Sequence, residues 1–125
     1  MLIEDNGNIL ENLTEFLQLE GFNVLAANNG KDGVELAKKF IPDLIICDVL
    51  MYGMNGHEVF QVISNSPITF AIPFIFSTSL SEKMDRAETL KLGVEDYIVK
   101  PYGLGSLLTM VNLWLKEGSK RRIPG

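Results

Sequence analysis

The stretch Tyr97-Ile98-Val99-Lys100-Pro101 decides the fold when it is set beside Leu2-Ile3-Glu4-Asp5 and Leu44-Ile45-Ile46-Cys47-Asp48. Each is a short apolar run closed by a charge. Strands buried on both faces of a parallel sheet read this way, and the first charged residue marks where the strand leaves the core. Lying parallel in one sheet, the three runs bring Glu4, Asp5, Asp48 and Lys100 out at the same edge, where ligands bind in open α/β sheets. Three carboxylates and one ammonium gathered there form a site.

Working outward, five apolar runs (Met1 to Ile3, Val24 to Ala27, Leu44 to Cys47, Phe74 to Phe76 and Tyr97 to Val99) alternate with helical patterns. Such alternation predicts an α/β fold with a parallel sheet flanked by helices. The first helix places Ile9, Leu10, Leu13, Phe16 and Leu17 on one face and stops near Gly21. The second runs from about Lys31 to Phe40, with Val34, Ala37 and Ile41 inward, and ends before Pro42. Asn55 and Gly56 open a third, which buries Val59, Phe60 and Ile63, and residues 65 to 72 read as a loop. A fourth begins with the capping pair Ser79 and Glu82 and has a thin apolar face of Met84, Ala87 and Leu90, helped by Leu92. The last is the strongest, with Leu104, Leu107, Leu108, Val111 and Leu115 in helical repeat.

The chain has 125 residues, 46 % of them hydrophobic, and a net charge of −5. That size suits one domain with a core of its own, here residues 1–117, followed at 118–125 by a tail or the start of a linker. The acidic balance argues against direct nucleic-acid binding, and Lys120 to Arg122 read as a solvated tail. The single Cys47, inside an apolar run, reads as core rather than as a reactive thiol. No disulfide framework, signal peptide or membrane-length apolar segment is visible, so a cytoplasmic protein without membrane contact is expected. His57, beside a helix start, reads as an exposed residue.

The charged edge suits phosphoryl chemistry. Hard carboxylate oxygens match Mg²⁺, or Mn²⁺ in its place, with Asp5 and Asp48 as direct ligands, Glu4 acting through water and the Leu50 backbone carbonyl completing the protein's share. Without a cation the three carboxylates repel one another and titrate as a coupled set. Lys100 adds a compact positive charge, its backbone restricted by Pro101, and Thr78 ends the fourth strand with a hydroxyl able to bond a phosphoryl oxygen. A nucleophilic carboxylate, a metal and a cationic clamp together predict transfer of a phosphoryl group to Asp48.

In this order the residues resemble the receiver domains of two-component response regulators. The features that carry the resemblance are Glu4-Asp5, Asp48 at the third strand, the loop from Met51 to Gly56, Thr78 at the fourth strand and Tyr97 through Pro101 at the fifth. The resemblance implies a flavodoxin-like sheet of five parallel strands in the order 2-1-3-4-5 with five flanking helices. It implies Mg²⁺-dependent phosphorylation of Asp48 by a sensor histidine kinase or histidine phosphotransfer protein, in a signalling protein that assists its own phosphorylation without being an enzyme in the ordinary sense. It also implies Thr78 and Tyr97 as a switch pair. Phosphorylation draws the Thr78 hydroxyl inward, the Tyr97 ring follows, and a downstream effector or a second copy of the chain reads the change on the surface of the fourth helix, fifth strand and fifth helix.

Tyr52 departs from the family's usual proline, Ser79 from a very small residue, and Glu4 from aspartate. Two other readings compete. One is a receiver-like docking module that acts without phosphate. The other is a small enzyme on a similar sheet, but a phosphatase would want an acid where Leu50 stands, and a flavin carrier would not place Glu4-Asp5 at its phosphate loop.

Overall fold

The apolar runs become the strands of one parallel sheet in the computed structural model, which describes residues 1–79 and 90–119. In chain order the elements are β1 (Leu2–Ile3), α1 (Gly7–Leu19), β2 (Ala26–Ala27), α2 (Gly30–Phe40), β3 (Ile45–Asp48), α3 (Gly56–Asn65), β4 (Phe74–Ser79), β5 (Asp96–Lys100) and α4 (Leu104–Glu117). The strand order is β2-β1-β3-β4-β5, as the resemblance implies. Four helices lie among the described residues, and the last expected helix is therefore α4 here. Most of the preceding helical pattern, including Glu82, Met84 and Ala87, lies outside the described residues. Its end is visible: residues 90 and 91 are helical, and the Gly93 N–H, at φ +99°, donates to the Leu90 carbonyl.

Asparagine starts three of the helices. Asn6 accepts from the Asn8 and Ile9 amides, Asn29 from Asp32, and Asn55 from Glu58, whose side chain returns the bond to the Asn55 amide. Each cap satisfies amides that a helix start leaves without an internal partner.

The sheet separates two apolar layers. On one face Val34, Ala37, Val59, Phe60 and Ile63 from α2 and α3 pack on Ile3, Cys47, Phe74 and Phe76. On the other, Leu13 and Leu17 of α1 and Leu107 and Val111 of α4 pack on Leu2, Ile46, Ile75 and Ile98. Among the described residues no helix is long and apolar enough to cross a membrane.

Several expectations need correction. β2 holds only Ala26 and Ala27 of the apolar run from Val24. Ile41 does not point inward. It is 52 % exposed and caps α2 in the left-handed region at φ 47°, because the chain must stop before Pro42 and the amide of Ile41 still reaches the Ala37 carbonyl. Leu92 is exposed and does not extend an apolar face. In α4 only Leu107 and Val111 are buried, while Leu104 and Leu115 stay exposed. Both stand in the terminal turns of the 14-residue helix, away from the central turns where Leu107 and Val111 are buried. At the carboxyl end Gly118 donates to the Trp114 carbonyl and Ser119 is buried; the rest of the expected tail, residues 120–125, lies outside the described residues.

Candidate functional site

Register brings the charges together. β3 pairs with both β1 and β4, and β4 with β5, so that Asp48 stands opposite Ser77 and Lys100 opposite Ser79. Glu4 and Asp5 continue past the end of β1, with the Glu4 amide still bonded to the Ala27 carbonyl at 3.1 Å. The Lys100 Nζ reaches across the edge to both Glu4 carboxylate oxygens at 3.0 Å and to Asp48 Oδ1 at 3.2 Å. Glu4, Asp5 and Asp48 each offer a carboxylate oxygen within 4.8 Å of the others.

This pocket is only partly open. The Asp48 side chain keeps 8 % of its surface, Glu4 6 % and Lys100 21 %, whereas Asp5 is exposed at the mouth. Burial and the neighbouring Glu4 charge push the Asp48 carboxyl up to about 7, against the pull of Lys100. Burial works to lower the Lys100 value, but its bonds to Glu4 and Asp48 outweigh it and leave the ammonium above the usual lysine value. Near neutral pH Asp48 thus stands close to half protonated beside the ammonium, which is how a low-dielectric site with three carboxylates limits its own repulsion. A divalent cation fits the donor set, because all three side chains offer hard oxygen and the excess of negative charge is what such an ion would neutralise.

Thr78 is buried near the end of β4, 1 % exposed, and Tyr97 is half-buried against the α2/α3 layer. Tyr97 is the strand partner of Phe76, and Thr78 lies two residues on, so the pair shares one face of the sheet. The Leu50 side chain points to solvent, 63 % exposed. Cys47 is fully buried, as expected, and His57 is exposed, with its ring edge against Phe76 at 5.0 Å.

Sequence reasoning missed a second polar layer behind the pocket. Ser77 is buried within β4, with its hydroxyl beside the Tyr102 phenol. Together with Glu4 and Tyr102 it lines a cavity of about 10 Å³. Burial raises the Tyr102 phenol, while the Ser77 hydroxyl and Lys100 act in the opposite sense. A serine inside the run Phe74-Ile75-Phe76-Ser77-Thr78 was the visible signal. Asp96 was also missed: it takes the Tyr97 amide on Oδ1 at 2.8 Å and the Trp114 indole N–H on Oδ2 at 3.2 Å, tying β5 to α4.

The family profile described as the response regulator receiver domain matches residues 1–112. The chain is similar to the protein PilH of Pseudomonas aeruginosa, at 33 % identity over 90 % of this chain and 93 % of that one. It is also similar to the transcriptional regulatory protein HprR of Escherichia coli, at 35 % identity over 94 % of this chain, which spans about half (51 %) of HprR. Among solved structures, the signal receiver domain of a signal transduction histidine kinase from Syntrophus aciditrophicus superposes with a TM-score of 0.82 at 32 % identity, covering 99 % of this chain and 93 % of that one. A response regulator from Desulfuromonas acetoxidans gives 0.83 at 28 % identity, over 94 % and 95 % of the two chains.

Proposed function

The chain belongs to the response regulator receiver domain family, and from that premise we propose that Asp48 is its phosphoacceptor, in a switch driven by a sensor histidine kinase or a histidine phosphotransfer protein. The observation that carries this reading is the placement of Asp48: a buried carboxylate at a strand end, 3.2 Å from the Lys100 ammonium and within 4.8 Å of two further carboxylates. An Asp48 oxygen attacks phosphorus, the P–N bond of the partner's phosphohistidine breaks, and the electron pair leaves with the imidazole nitrogen. Asp48 must give up its proton first, so its raised value makes cation binding and nucleophile activation one event.

Glu4, Asp5, Asp48 and the Leu50 carbonyl are the groups that would hold Mg²⁺, or Mn²⁺, and the ion supplies neutralisation of the phosphoryl oxygens. Lys100 clamps one of those oxygens, trading part of its hold on Glu4 and Asp48 for the new charge. The Thr78 hydroxyl bonds another, Tyr97 turns into the space released, and Asp96 passes the change to α4 through Trp114. An output protein or domain, or a second copy of the chain, reads that face.

A small-molecule phosphodonor with Mg²⁺ tests the reading. Intact-mass measurement should show one phosphoryl group added to the wild type and none to Asp48→Asn. Modification of the variant, or none of the wild type with either a phosphodonor or beryllofluoride, sinks it in favour of a docking module that works without phosphate.

A further inference from the structure

We propose that the backbone N–H of Tyr52 is the positioning group for Asp5, fastening the loop after Asp48 to the cation pocket. This deepens the reading above and rests on it. The Tyr52 N–H donates to Asp5 Oδ2 at 3.2 Å across 47 positions of sequence. Asp5 lies beyond β1, outside any strand or helix, and among the described residues this is the one hydrogen bond that fixes its carboxylate. The far end of the same loop is closed by the Gly56 N–H on the Val49 carbonyl at 2.8 Å. The loop is thus closed on itself at its base and fastened to the pocket at its middle. Between these two points, Gly53 takes φ +77°, which turns the chain back towards α3.

The ring of Tyr52 contributes nothing to this arrangement. Its residue is 95 % exposed, so the contact belongs to the amide alone. An ionised carboxylate has acceptor sites enough for an amide and a cation together, so the bond to Oδ2 leaves Asp5 able to take an ion. Two effects then oppose one another. Donation of the N–H draws some charge from the carboxylate and weakens it as a ligand, while the fixed orientation removes the ordering cost of capturing an ion. Loss of the outer partner of a metal ligand typically lowers affinity about 10–100-fold, so orientation prevails.

The test is an amide-resolved NMR titration with Mg²⁺ on the full chain, comparing wild type, Tyr52→Ala and Tyr52→Pro. Alanine keeps the N–H and should bind Mg²⁺ within about twofold of wild type, whereas proline removes the donor, while also fixing the local φ, and should weaken binding about tenfold. In the metal-free wild type, hydrogen exchange at the Tyr52 amide should be at least about tenfold slower than at Gly53, and this measurement decides the matter if the proline variant does not fold. Equal Mg²⁺ affinity in the proline variant and wild type, or an unprotected Tyr52 amide, overturns the inference and leaves the phosphoacceptor reading intact. A wild type that shows no saturable Mg²⁺ response removes that reading, and the inference with it.

Discussion

Gly56 is the residue at which the site has least room. A Cβ there would stand 2.4 Å from the Asp48 carbonyl oxygen and 2.8 Å from the Val49 Cα, both backbone atoms that cannot swing aside. Gly56→Ala is therefore expected to cost about 1–3 kcal/mol, visible as a lower Tm, and to displace the Asp48 loop enough to impair phosphorylation in the surviving folded protein. Asp48 itself sets a pH dependence. Its folded value of about 7 lies above the ordinary 3.8, so the folded state binds the extra proton. The stabilisation is complete below the unfolded value and is lost as pH rises through the folded one. Metal-free protein should thus lose Tm between about pH 4 and pH 7; Mg²⁺ should restore it at the alkaline end, and Asp48→Asn should flatten the profile. Apparent Mg²⁺ affinity should rise with pH and level off above about 7, because the ion displaces that proton. Thermal melts and Mg²⁺ titrations across that range check both.

Among the elements, α2 carries an avoidable strain. Ile41 is a β-branched residue in the left-handed region with half its surface in water. Exchanging it for asparagine should stabilise the fold by about 1 kcal/mol, raising Tm by about 3–6 °C. At the other side of the sheet, α4 is held by a thin seam of Leu107 and Val111 together with the Trp114 bond to Asp96. Trp114→Phe should cost about 1–3 kcal/mol, since it leaves a buried carboxylate oxygen without its donor. These two elements also show where sequence reading stops. Strand ends were legible because a charge after an apolar run has one comfortable place to go. Burial at helix ends was not, because Leu104 and Leu115 satisfy the helical repeat yet stay exposed in the end turns of α4. Ile41 likewise continues the apolar period of α2 and is turned outward by a backbone cap that no periodicity encodes.

For the molecule as a whole, the four charges of the site were legible because parallel strands carry local signals to a common edge. The layer behind them was not. Ser77 meets Tyr102 where β4 packs on the start of α4, Asp96 meets Trp114 where β5 packs on its last turns, and nothing in their spacing marks either pair as partners. The second pair is expected to make the state of the chain optically readable. Trp114 is the only tryptophan, and Asp96 links its indole to the backbone of Tyr97. Adding beryllofluoride with Mg²⁺ should therefore shift the emission of the wild type and leave that of Asp48→Asn unchanged. Cys47 offers a complementary clock. The sole thiol is sealed in the central strand, one residue before Asp48, with its Sγ 3.3 Å from the Asp48 carbonyl. An alkylating reagent can enter only when β3 parts from its neighbours, so its rate of labelling counts those openings, and whatever binds beside Asp48 should slow the count by the factor by which it holds the sheet shut.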